Sequence, residues 1–145
     1  MKLCMAGTRG HYYMILEELK GMPDVEFAGM APGFPEEDLA GFSKRCGEFG
    51  LKPHVYSHYR AMLDAVKPEI VCVFGPYEEH AEMCVEAFRR GMNVICEKPV
   101  ATVQEDYEIL RKAYSTSAVH FAAMTWMRYD PAMYTCWEAV RAGRV

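Results

Sequence analysis

Long hydrophobic runs are missing. No stretch of the 145 residues approaches the roughly 20 apolar residues of a membrane-spanning helix, so a helical membrane partner is not expected. A signal-peptide pattern is missing as well: Met1-Lys2 leads into a short apolar run, and Gly7 and Arg9 follow at once. There is no excess of basic charge. Sixteen Lys and Arg stand against 20 Asp and Glu, a net charge of -4, which leaves no electrostatic footprint for nucleic acid or an anionic membrane. The six cysteines (Cys4, Cys46, Cys72, Cys84, Cys96, Cys136) form no CxxC pair. Four of them fall in apolar runs or on apolar helix faces, and they read as core residues of a reducing, cytoplasmic compartment rather than a disulfide or zinc framework. His54 and His58 are four apart with no third ligand near, so no metal site is expected. A Tyr-x-x-x-Lys pair, a nucleophile elbow and a Walker lysine loop are all absent, which argues against nucleophilic hydrolysis and nucleoside triphosphate hydrolysis.

What is present is alternation. Residues 2–6 form a short apolar run that meets Gly7-Thr8-Arg9-Gly10-His11, and residues 12–20 follow with Ile15, Leu16 and Leu19 at helical spacing. Residues 25–31 read as a second strand ended by Pro32-Gly33. Pro35-Glu36-Glu37-Asp38 then suits a helix start, with proline in the first turn and acids near the positive end of the dipole. A weak edge strand at 53–56, a helix at 59–66 and an unbroken β-branched run at 70–74 come next, the last reading as a central parallel strand covered on both faces. Gly75-Pro76 opens a helix with Ala81, Cys84, Val85 and Phe88 on one stripe, and residues 92–96 form the fifth strand. A helix at 102–114 burying Tyr107, Leu110 and Tyr114, a strand at 119–126 and a helix at 131–142 complete the chain. The spacing of Thr102-Val103-Gln104-Glu105 predicts a capping box. One α/β domain with a doubly wound parallel sheet in the Rossmann order 3-2-1-4-5-6 accommodates every element.

In such a sheet, ligands bind outside the carboxyl ends of the strands. The first turn, Gly7 to His11, is the candidate phosphate site, because a helix N-terminus offers free N–H groups and partial positive charge. The dinucleotide fingerprint GxGxxG is only partly met: Gly7 is in place, Gly10 is shifted by one, and Arg9 and Tyr12 stand where glycine is usual. Arg9 either pairs with a phosphate or fills the space a pyrophosphate needs. The ribose-binding acid usual at the end of the second strand is replaced by Ala31-Pro32-Gly33; Glu36, Glu37 and Asp38 either reach back to that place or, the favoured reading, are helix-start acids, so NAD and NADP are not told apart here. His80 has either a cleft position or an exposed one, and His120 reads as structural.

Glu97-Lys98-Pro99 after the fifth strand, Gly75-Pro76 with His80 after the fourth, and Met127-Arg128-Tyr129-Asp130-Pro131 after the sixth together resemble the N-terminal domain of the Gfo/Idh/MocA oxidoreductases. The resemblance implies NAD or NADP as cofactor and hydride transfer on a sugar, polyol or related substrate. It implies that Gly7, Thr8, Arg9, Gly10, His11, Gly75, Pro76, His80, Glu97, Lys98, Pro99 and Arg128 line the cofactor. Lys98 is the implied catalytic residue, orienting substrate or relaying a proton. It also suggests a cis bond before Pro99. On this reading residues 1–126 are the Rossmann domain, and residues 127–145 are a helix leading towards a second domain that this chain lacks. The isolated chain is then expected to be inactive, and to self-associate through the apolar residues around Trp126, Met127, Tyr129 and Trp137. The alternative is a non-catalytic nucleotide sensor or interaction module with a degraded cofactor site.

Overall fold

A computed structural model describes residues 1–145 as one six-stranded parallel sheet in the order β3-β2-β1-β4-β5-β6. The strands are β1 (Lys2–Ala6), β2 (Glu26–Ala31), β3 (His54–Val55), β4 (Ile70–Val73), β5 (Asn93–Cys96) and β6 (Phe121–Ala123). The helices are α1 (Tyr12–Leu19), α2 (Ala40–Glu48), α3 (Tyr59–Val66), α4 (His80–Arg89), α5 (Gln104–Ser115) and α6 (Pro131–Arg141). This is the expected strand order.

The strand period of two divides the core into two layers. Leu3 and Met5 of β1, with Cys72 and Phe74 at β4, face α1 and α2 and meet Leu16, Leu19, Phe42 and Cys46. Cys4 and Ala6, with Val71 and Val73, face the other side and meet Met62, Leu63, Cys84, Phe88 and Leu110 of α3, α4 and α5. Five of the six cysteines are buried and unpaired, and Cys136 is exposed. No helix is long and apolar enough to cross a membrane.

Several elements depart from expectation. The acids at 36–38 do not start a helix: α2 begins at Ala40, with Leu39 before it. The capping box is not made either. Helix α5 starts at Gln104 behind Val103, and no side chain caps it. Of the three residues expected beneath α5, Leu110 is buried, while Tyr107 and Tyr114 are exposed, because α5 packs chiefly against α4. His120 precedes β6 and is exposed.

Register sets up the site. Ala6 is level with Ala31 on one side and Val73 on the other, and Val73 is level with Cys96. The residues that follow, Gly7, Pro32, Phe74 and Glu97, therefore leave the sheet in one row.

Candidate functional site

The turn from β1 to α1 is held by backbone first. Gly7 N donates to Ala31 O at 2.9 Å and Arg9 N donates to Phe74 O at 2.8 Å, so the turn is pinned to both neighbouring strands. Gly7 sits at φ +83°, and a Cβ there would run into the Phe74 carbonyl. Helix α1 has no side-chain cap of its own, and the N–H groups of Gly10, Tyr12 and Tyr13 meet no protein acceptor. These three donors at the positive end of α1 are what an anionic phosphate needs.

Glu97 reaches this turn from β5. Its side chain is fully buried, and its Oε2 accepts from His11 N at 2.6 Å and lies 2.8 Å from His11 Nδ1. Its Oε1 accepts from Lys98 N at 2.8 Å. Gly10, at φ +71°, makes room for it: a Cβ there would lie 2.5 Å from Glu97 Oε2. Burial pushes the Glu97 carboxyl up, but the bonds from His11 N, from the His11 ring and from Lys98 N outweigh burial and hold it below the usual carboxylate range. Glu97 is thus a brace between two loops. Lys98 beside it is exposed, and the Lys98–Pro99 bond is cis, as the resemblance suggested.

His80 is neither a cleft side chain nor an exposed one. It is fully buried, with Nδ1 2.7 Å from Pro99 O and Nε2 3.0 Å from Gly75 O. Both partners are carbonyls, which only accept, so a neutral ring donates to one of them and the imidazolium to both. Burial works against that charge, and the Cys96 sulfur with the two carbonyls outweighs it, so the ring is held above its ordinary pKa. His80 therefore ties the Gly75-Pro76 loop after β4 to the Glu97-Lys98-Pro99 loop after β5.

Two further features complete the turn, and the first is the less favoured of the two sequence readings of the acids at 36–38. Glu37 does reach back: its Oε1 accepts from Thr8 N at 2.9 Å and Thr8 Oγ1 at 2.6 Å, and its Oε2 accepts from Gly33 N at 2.6 Å. Arg9 lies over the Phe34 ring, 5.0 Å from its centroid. Arg128 follows β6 at the same end of the sheet, exposed in a 3₁₀ turn over Trp126–Tyr129. With Met127, Tyr129, Met133, Tyr134 and Trp137 it lines an open groove of about 710 Å³ along α6. The structure thus gathers Gly7 to His11, Gly75, Pro76, His80 and Glu97 to Pro99 at one end of the sheet.

A doubly wound parallel sheet whose first turn leaves backbone donors free at a helix N-terminus defines a dinucleotide-binding domain. The chain belongs to the Gfo/Idh/MocA oxidoreductase family with an NAD-binding Rossmann fold, which it matches over residues 31–123. A solved structure described as a putative oxidoreductase from Thermotoga maritima is 34% identical with a TM-score of 0.89, over 99% of this chain and 44% of that one. Glycosyl hydrolase family 109 protein 2 of Akkermansia muciniphila is 23% identical over 99% of this chain and 31% of its own length. Levoglucosan dehydrogenase of Pseudarthrobacter phenanthrenivorans is 28% identical over 61% of this chain and 23% of its own. The chain spans less than half the length of each.

Proposed function

We propose that this chain binds NAD across the carboxyl ends of β1 and β4 and is the cofactor-binding part of a dehydrogenase acting on a sugar, polyol or related substrate. The observation that carries the reading is the set of unpartnered N–H groups of Gly10, Tyr12 and Tyr13 at the start of α1, placed by the β1–β4 register. The bound nicotinamide ring supplies hydride transfer. The chain's own part is to orient it: Glu97 and His80 fix the loops after β4 and β5, and Gly75, Pro76 and Pro99 shape the wall between them. Lys98 is a cation at the mouth of this wall, suited to hold a substrate hydroxyl or steady a developing oxyanion.

Residues 1–126 form this binding unit, and residues 127–145 lead towards the remainder of a longer enzyme. The relatives' greater length supports that division. Turnover needs a substrate held against the nicotinamide from the other side, so residues 1–145 on their own are expected to bind cofactor without turnover. The apolar face of α6 supports self-association, and the five buried free cysteines support a reducing, cytoplasmic setting. A second, non-catalytic reading draws on the carboxylates of Glu37 and Glu97, which already occupy the N–H groups of Thr8 and His11 and add negative charge where phosphates would sit. Titration with NADH followed by nicotinamide fluorescence separates the two. Saturable binding that Gly10→Val abolishes supports the cofactor reading, and no binding at millimolar NADH supports the second.

A further inference from the structure

The end of β2 carries Ala31-Pro32-Gly33, with no acid to hold a ribose. Glu37, six residues after Ala31, brings a carboxylate back to that place. It joins the first turn to the end of β2, through Thr8 on one side and Gly33 on the other. In a doubly wound sheet the adenosine ribose lies between those two segments. The lone-pair count leaves room for one more donor. Oε1 accepts two bonds from Thr8 and is full; Oε2 accepts one, from Gly33 N, and keeps one acceptor site. Glu37 is only half buried, so that site is open on one side.

The surroundings give the ribose a neighbour. Beyond Gly33 lies a cleft of about 360 Å³ between Pro32, Phe34 and Pro35 on one wall and Tyr59, Glu79 and Glu82 on another. Its Arg60 is already paired with Glu82 and Glu86. Ser57 and His58 line it as well, His58 Nδ1 accepting from Arg60 N, and Arg9 stacks on the Phe34 ring. A 2′-phosphate on the ribose would therefore stand against the Glu37 carboxylate, with Glu79 and Glu82 in the cleft beyond.

We propose that Glu37 accepts the 2′-hydroxyl of the adenosine ribose of NAD and repels the 2′-phosphate of NADP, making it the specificity-determining residue of this site. This rests on the NAD-binding reading above, and it deepens that reading by assigning the missing acid to a residue outside the strand end. The arrangement makes a second demand: Glu37 also fixes Thr8, so the turn that meets the phosphates and the group that reads the ribose are set by one carboxylate.

The test is a fluorescence titration of the full chain with NADH, NADPH and the 2′-deoxyadenosine analogue of NADH, repeated on Glu37→Gln and Arg9→Ala. The wild-type chain is expected to bind NADH about tenfold or more tightly than NADPH, and the 2′-deoxy analogue about tenfold more weakly than NADH. Glu37→Gln is expected to bring NADH and NADPH within about threefold, chiefly by strengthening NADPH, since the like-charge repulsion is gone. The 2′-deoxy comparison needs no variant and stands even if Glu37→Gln fails to fold. Equal binding of NADH and its 2′-deoxy analogue overturns the proposal, as does an unchanged NADH-to-NADPH ratio in a folded Glu37→Gln. NADPH preferred by the wild type and lost in Arg9→Ala also overturns it, in favour of the cation as reader. Failure of the wild type to bind either cofactor at millimolar concentration overturns the NAD-binding reading itself, and this proposal with it.

Discussion

The two ends of this chain use similar residues and reach opposite outcomes. Residues 1–120 hold all 36 buried positions, from Leu3 to Leu110. Residues 121–145 hold none, although they include Phe121, Trp126, Met127, Tyr129, Met133, Tyr134 and Trp137. Helix α6 is well formed locally. Asp130 caps it by accepting from Met133 N at 3.0 Å, and Pro131 sits in its first turn, yet no residue of α6 is buried. Local signals make a helix; burial needs a second surface. In the first region each apolar face finds a sheet, and in the last the face has only its own 3₁₀ turn.

That contrast is sharpest in stability. Phe74→Ala, at a fully buried position, is expected to cost about 3–5 kcal/mol in urea unfolding, while Trp137→Ala is expected to stay within about 0.5 kcal/mol. Equal costs would mean that α6 packs on the core in solution. The next largest effect is at the turn. Gly10→Ala places a methyl against Glu97 at a positive φ and is expected to cost about 1–3 kcal/mol in the same measurement.

The polar braces add a pH signature that the C-terminal region lacks. Glu97 has a folded pKa below its unfolded 4.5, so its contribution is present above 4.5 and is lost as pH falls through the folded value. His80 has a folded pKa above its unfolded 6.5, so its contribution is complete below 6.5 and is lost as pH rises through the folded value. Thermal melts across pH should show the acid limb flatten in Glu97→Gln and the alkaline limb flatten in His80→Asn. A wild-type profile level across both windows would show that neither group is coupled to folding. The smallest effect on stability, and the clearest on assembly, is expected from Trp137→Glu. It should leave the urea midpoint almost unchanged and reduce self-association in sedimentation velocity. A monomer at high concentration in the wild type would remove that role from the α6 face.

The fold was legible because its signals are local and repeated. The run at Ile70–Val73 and the glycines and prolines after each strand state the alternation directly, and one strand order accommodates it. The site was legible in place but not in detail. Glu97 looks in sequence like a charged residue at a strand end, and nothing near it announces that Gly10, 87 positions earlier, leaves room for its carboxylate. His80 could be placed on a first turn, but not between two carbonyls. Glu37 reads both ways, but an acid after a proline favours a helix start, whereas its carboxylate turns back to Thr8 and Gly33. In each case the deciding partner lies on another strand's loop, beyond the reach of any local pattern. The exception is the shifted Gly10, whose misfit to the fingerprint was the one local sign that something else filled the turn.

The strand order also has a consequence for the chain while it is being made. Strand β1 ends up inside the sheet, between β2 and β4, but β4 is Ile70–Val73. A ribosome adding about 5–20 residues per second takes several seconds to reach β4 after β1 has emerged. During that interval β1, β2 and β3 can pair while the other edge of β1, with Leu3, Cys4 and Met5, stays open. The most buried strand of the finished protein is thus an exposed edge of the nascent one, and chaperone capture during synthesis should concentrate there.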